Sequence, residues 1–135
     1  MVGASISKRW TDSYKKAILE SRTKTAQLLQ DTIKKYNYKI NLVVSASAIG
    51  IYPTSLTKYY QETNTEISES FLGNVVDKWE TAVDGFKALG CKVAKIRIGL
   101  VLAKDGGALP EIVKPIKFGA GAAFGSGKVG FMLKT

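Results

Sequence analysis

The stretch that most restricts the fold runs from Ile40 to Pro53 and reads INLVVSASAIGIYP. So apolar and β-branched a run fits a strand buried on both faces, the setting of a central strand in a parallel sheet. The expected strand covers Ile40 to Val44. It empties into Ser45, Ala46, Ser47 and Ala48, small side chains that leave room for a ligand at the strand's carboxyl end. A loop with Gly and Pro then continues through Thr57 to about Glu66. Ahead of the strand, Tyr14, Ile18, Leu29, Ile33 and Tyr36 recur at helical spacing with no Gly or Pro between them. That pattern predicts a helix capped by Thr11 or Asp12 and ending at about Tyr36.

The second half repeats the order. A helix is expected from near Ser68, with acidic residues at its positive end and Leu72, Val76, Trp79, Val83 and Phe86 on one stripe. Leu89-Gly90 is its stop. KVAKIRIGLVLA alternates and then becomes continuously apolar, so Val93 to Leu102 is expected as a second buried strand, followed by a turn at Lys104-Asp105-Gly106-Gly107. A short helix from about Leu109 to Lys117, with Pro110 in its tolerated first turn, precedes a Gly-rich loop from Phe118 onward. Helix, strand, helix, strand implies right-handed parallel crossovers and an open α/β sheet rather than a sandwich or a bundle.

The residue inventory excludes several chemistries. At 135 residues and 45% apolar, one domain with its own core is expected. Cys91 is the only cysteine and there is no histidine, so an internal disulfide, the usual zinc sites and any His-dependent triad are excluded, and no metal site is expected. The amino-terminal stretch has no secretory h-region, and no apolar run reaches the roughly 20 residues of a membrane span. A reducing cytoplasm and no membrane partner are the expectation. The net charge of +9 comes from 20 Lys and Arg against 11 Asp and Glu. These cations are spread along amphipathic patterns with no nucleic-acid module, which reads as a solvated surface and not as a nucleic-acid interface.

In an open α/β sheet, ligands bind outside the carboxyl ends of the strands. If the two strands are parallel neighbours, Ser45, Ser47 and Tyr52 share one crevice with Arg97, Gly99 and the Gly106-Gly107 turn. Small polar residues also cap loops, and Gly after a strand is often only a turn. Arg97, in the buried pattern KIRIG, requires an anionic or acidic partner, and Glu80 is the expected one. Cys91 is expected as an inert buried thiol.

SASAIGIYP, FLGNVVDKWE, IRIGLVLAKDGGAL and FGSG, together with GASISKRWT and ESRTKTAQLL, resemble the epimerase branch of the extended short-chain dehydrogenase/reductases. More narrowly, the chain resembles the atypical NAD-dependent epimerase/dehydratase family with a Ser-Ala-Ser-Ala strand end and a Trp-Glu in the next helix. The resemblance implies a partial Rossmann-like doubly wound parallel sheet over residues 1–127, with a tail at 128–135. It also implies that the front strands and phosphate-binding glycine loop, which precede the equivalent of Gly3 in that family, are missing. NAD or NADP is the implied cofactor, with Ser45, Arg22, Arg97 and Gly99 on its side, Ser47 and Tyr52 in catalytic positions, and a small or nucleotide-sugar-like substrate. The Tyr-x-x-x-Lys pair of the wider superfamily has no counterpart: neither Phe71 with Val75 nor Leu72 with Val76 is titratable. The chain is therefore expected to be inactive alone. The rival expectation is a non-enzymatic interaction module that forms homo-oligomers through exposed sheet.

Overall fold

A computed structural model describes residues 3–103 and 106–119. Lys104 and Asp105 of the expected turn, and the Gly-rich stretch from Ala120 on with its tail at 128–135, lie outside the described residues. The chain divides into two units, one of residues up to Pro53 together with Thr65–Ile98, the other of Thr54–Asn64 together with residues from Gly99 on.

The first unit holds helix α1 (Asp12–Tyr36), strand β1 (Leu42–Ala48), helix α2 (Phe71–Asp84) and strand β2 (Lys92–Ile98). Thr11 caps α1, its hydroxyl accepting from the Tyr14 amide at 3.3 Å. Asn37 ends it in the left-handed region at φ 50°, with its amide on the Ile33 and Lys34 carbonyls. α2 begins later than the sequence suggests. Its cap is Ser70, whose hydroxyl accepts from the Gly73 amide at 3.0 Å, and its first turn carries no acid. Gly73 is required there, because a Cβ would stand 2.2 Å from the Ser68 carbonyl oxygen. The helix tightens into a 3₁₀ turn over Gly85–Leu89, which Gly90 closes at φ 79°.

β1 and β2 are parallel neighbours, in register Val43 with Val93, Ser45 with Lys95 and Ser47 with Arg97. Two expectations are corrected here. β1 runs through the small residues to Ala48 instead of ending at Val44, and β2 stops at Ile98 instead of Leu102, because a ladder persists only where both strands supply partners. Neither strand is buried on both faces. Val43, Ser45, Ser47, Val93, Lys95 and Arg97 alternate inward, whereas Leu42 (55% exposed), Val44 (57%) and Ile96 (56%) stand on an uncovered face. The helices of this unit pack on one face only: α2 lies against both strands and α1 lies against α2.

Ala26, Val83, Phe86 and Cys91 form the core, with Ile33, Val43, Trp79 and Val93 packed around them. Cys91 is buried and free. Gln30 bridges the helices, its amide donating to the Ala82 carbonyl at 2.7 Å. Leu29 and Tyr36, which recur at helical spacing along α1, are exposed; the 14 residues of α2 cannot cover all 25 of α1.

In the second unit, Leu102–Ala103 (β3) pairs antiparallel with Gly106–Gly107 (β4), so the expected turn glycines are a short strand. Helix α3 spans Leu109–Lys117, with Pro110 in its first turn. Among the described residues no helix is long and apolar enough to cross a membrane.

Candidate functional site

The inward face of the sheet changes character along its length. At the amino ends Val43 and Val93 feed the core, and at the carboxyl ends Ser45 stands beside Lys95 and Ser47 beside Arg97. Glu80 and Asp84, one turn apart on α2, face this polar end.

Glu80 is the hub. It is buried, and its carboxylate accepts both Arg97 Nε on Oε1 and Arg97 Nη2 on Oε2 at 2.9 Å, the two-pronged geometry of a strong guanidinium pair. The buried Ser47 hydroxyl donates to Oε1 at 2.5 Å. Arg97 reaches onward through Nη1 to the Tyr52 hydroxyl oxygen at 2.6 Å, and its guanidinium carbon lies 5.1 Å from the centre of the Tyr52 ring. Lys95 Nζ bridges Glu80 Oε2 at 3.3 Å and Asp84 Oδ2 at 3.0 Å, and Lys87 meets Asp84 Oδ1 at 2.7 Å.

Ionisation follows from these contacts. Burial pushes the Glu80 carboxyl up, but hydrogen bonds from Arg97 and Ser47 and the charges of Arg97 and Lys95 outweigh it and hold the group at about 2. Burial likewise opposes, and Lys87 and Lys95 produce, a lowering at Asp84. The bond to Glu80 raises Arg97 above its ordinary value against the effect of burial. Arg97 and Lys95 thus face the two ionised carboxylates of Glu80 and Asp84, and Lys87, from the turn that leads into β2, meets Asp84 from outside.

The residues singled out from sequence separate into groups. Ser47, Tyr52 and Arg97 meet through Glu80. Ser45 and Arg22 instead border a cavity of about 530 Å3 between α1, β1 and the segment Gly3–Ile6. There the Ser45 hydroxyl donates to the Ala46 carbonyl at 2.9 Å, and Arg22 Nη1 donates to the carbonyls of Ile18 at 2.9 Å and Ala4 at 3.3 Å. The Arg22 guanidinium lies 5.3 Å from the Trp79 ring centre, and burial lowers its pKa. Gly99, exposed after the end of β2, belongs to the other unit.

Lys95 and Asp84 were not anticipated. Their signal was present: Lys95 lies two residues from Arg97 and so shares its strand face, and Asp84 lies four residues from Glu80 and so shares its helix face.

An NAD or NADP pyrophosphate needs unengaged backbone amides at a helix start. Two of the three described α-helix starts have one such amide already taken. The Tyr14 amide of α1 and the Gly73 amide of α2 are taken by the hydroxyls of Thr11 and Ser70, and the Gly106–Gly107 strand leads into α3 at Leu109. Among the described residues no cluster of three or more His, Cys, Asp or Glu could hold a metal ion.

No model of a protein family matches the chain. Over 128 residues, 95% of its length, it is 39% identical to an epimerase family protein of Staphylococcus saprophyticus, and it is likewise 39% identical to one of Staphylococcus haemolyticus. The chain spans about 43% of the length of these curated relatives. Among solved structures, it superposes with a TM-score of 0.77 and 31% identity on the human epimerase family protein SDR39U1 with NADPH, covering 95% of this chain and 44% of that one. A nucleoside-diphosphate sugar epimerase from Corynebacterium glutamicum gives a TM-score of 0.70 at 31% identity, over 90% of this chain and 26% of the other. The fold is therefore α/β and Rossmann-like with a parallel sheet, partial in extent, and its likeness is to epimerases of the short-chain dehydrogenase/reductase kind.

Proposed function

We propose that this chain is a segment of an NAD(P)-dependent oxidoreductase of the nucleotide-sugar epimerase/dehydratase kind, in the subgroup that lacks Tyr-x-x-x-Lys, and that it does not turn over substrate by itself. The observation that carries this reading is the register that sets Ser47 beside Arg97 at the shared carboxyl end of two parallel strands, where Glu80 of the Trp79-Glu80 pair binds both. In this reading residues 1–127 belong to the NAD(P)-binding domain. Tyr52 is the side chain that meets substrate, its hydroxyl able to exchange hydrogen bonds with a sugar hydroxyl, while Ser47, Glu80 and Arg97 act as positioning residues. A small or nucleotide-sugar-like substrate is assigned by resemblance. Arg22, Ser45 and Gly99 are assigned to the cofactor side by resemblance. The lone, buried thiol of Cys91 supports a reducing, cytoplasmic setting.

The test is a chimera in which this chain replaces the matched segment of the human protein. A folded chimera, checked by circular dichroism, is expected to bind NADPH, while the chain alone shows no saturable micromolar binding. A folded chimera without NADPH affinity, or micromolar binding by the chain alone, overturns the reading.

A second reading, a non-enzymatic oligomerising module, is favoured by the uncovered face bearing Leu42, Val44 and Ile96. Light scattering that finds a clean monomer at high concentration contradicts it.

A further inference from the structure

The two ends of the parallel strands differ in charge. At the carboxyl ends Lys95 and Arg97 each meet a carboxylate. At the amino ends, residues 32–41 and 90–92, which lead into β1 and β2, contain no Asp or Glu but hold Lys34, Lys35, Lys39 and Lys92. All four lysines are exposed, and among the described residues no carboxylate lies within ion-pair distance of any of them. The lysines nearer the start of α1 differ, since Lys15, Lys16 and Lys24 each face Asp12 or Glu20. Strand pairing brings Lys92 to the others: its amide donates to the Asn41 carbonyl at 2.9 Å.

Two aromatic rings stand among these charges. Asn37, in the left-handed region, turns the chain at the end of α1, and the Tyr38 amide donates to the Ile33 carbonyl at 3.1 Å. That turn sets Tyr36 and Tyr38 side by side, their ring centres 5.8 Å apart and their planes 30° from parallel. Lys35 Nζ lies 5.3 Å from the centre of the Tyr36 ring. Both tyrosines are more than half exposed, so their stacking surface is left open. A covering layer of the usual apolar kind would bury unpaired ammonium groups beside it at a heavy desolvation cost. The complement of this patch is a partner that is both anionic and flat-ringed.

We infer that the amino end of this sheet is a binding site for single-stranded nucleic acid, with bases stacking on Tyr36 and Tyr38 and phosphates meeting Lys34, Lys35, Lys39 and Lys92. Along the sequence these lysines look dispersed, but the turn at Asn37 and the pairing of β1 with β2 gather them around the rings. Stacking on aromatic side chains beside a basic track is the chemistry that holds single strands without regard to sequence. A duplex keeps its bases paired inside and offers the rings nothing to stack on. An acidic polypeptide matches the lysines but leaves the ring faces unused, and a second copy, with its net charge of +9, is repelled. The inference does not depend on the oxidoreductase reading, because Ser47 and Arg97 stand at the opposite ends of the same strands.

The test titrates this chain into a fluorescein-labelled twelve-nucleotide oligothymidylate and follows fluorescence anisotropy at about 50 and about 200 mM salt. Saturable binding is expected at the lower salt and a loss of more than tenfold at the higher. Tyr36→Ala with Tyr38→Ala is expected to weaken binding roughly tenfold, and Tyr36→Phe with Tyr38→Phe, which keeps the rings, to retain most of it. Replacing Lys34, Lys35 and Lys39 by Gln is expected to lower affinity roughly tenfold and to reduce the salt slope by about 2. Lys39→Gln with Lys92→Gln, which leaves α1 untouched, lowers the slope by about 1.4. Replacing Lys15, Lys16 and Lys24 by Gln removes the same charge elsewhere and is expected to change affinity by less than about threefold. Circular dichroism checks each variant. The inference is overturned by no binding at about 100 μM chain, or by equal losses from the two lysine triples. Full affinity in the double alanine variant overturns it as well, as does equal competition by a duplex or an oligoglutamate of matched charge.

Discussion

The carboxyl end of the sheet and the open edge of β1 each hold a half-buried arginine beside an aromatic ring, Arg97 with Tyr52 and Arg22 with Trp79, but only the first is neutralised. Arg97 has a two-pronged carboxylate, and that carboxylate has a serine and a lysine of its own. Arg22 has carbonyls, a hydroxyl and an indole. The difference teaches where each cation's role lies. Arg97 belongs to a completed clamp that ties β1 and β2 to α2, and substitutions there are read as lost stability. Among the described residues Arg22 meets no carboxylate, so less stability rides on its charge.

The sharpest way to break the comparison is Glu80→Ala. It takes the carboxylate from Arg97 at a buried site, leaves Lys95 with Asp84 alone, and is expected to cost about 4 kcal/mol, the usual penalty for removing one member of a buried pair. Urea unfolding followed by tryptophan fluorescence measures it, and a loss below about 1 kcal/mol would remove Glu80 from its place as hub.

Acid comes next. The Glu80 carboxyl sits at about 2 when folded against an ordinary 4.5, so its stabilisation is fully present above pH 4.5 and is lost as pH falls toward 2. That interval corresponds to about 3 kcal/mol, and the lowered Asp84 adds in the same direction. Glu80→Gln should flatten most of the acid limb of a stability-against-pH curve; an unchanged limb assigns the titration to other carboxylates.

Tyr52→Phe deletes one hydrogen bond from a charged donor and keeps the ring, so a loss of about 1.5 kcal/mol is expected by thermal unfolding. A loss as large as that of Glu80→Ala would make Tyr52, not Glu80, the centre of the clamp.

The smallest effect belongs to Arg22→Met, which keeps the stem's packing against Trp79 while removing an uncompensated charge. Its stability is expected to change by no more than about 0.5 kcal/mol. A multi-kcal/mol loss would show that Arg22 is as structural as Arg97 and would erase the contrast.

Much of this molecule was legible before its structure. The cap at Thr11, the stop at Gly90 and the span of α3 follow from local rules of helix ends. The partnership of Arg97 with Glu80 followed from the cost of burying a lone charge. The burial of the strands was misjudged, because β-branched Val44 and Ile96 suit a strand whether or not anything covers them. The site was legible in part: Ser47, Tyr52 and Arg97 do converge, whereas Ser45 and Arg22 turn to a different space along the edge of β1.

From residue order alone came the four main elements, the polar carboxyl ends of the strands and the absence of histidine and disulfide chemistry. Only the tertiary structure decided that Ser47, and not Ser45, shares Glu80 with Arg97, and that Arg22 borders a separate cavity with Ser45. The reason is geometric. Helix ends and strand alternation depend on residues a few positions apart, but the pairing of β1 with β2 spans about 50 residues, and a slip of one residue would have turned every partner to the opposite face.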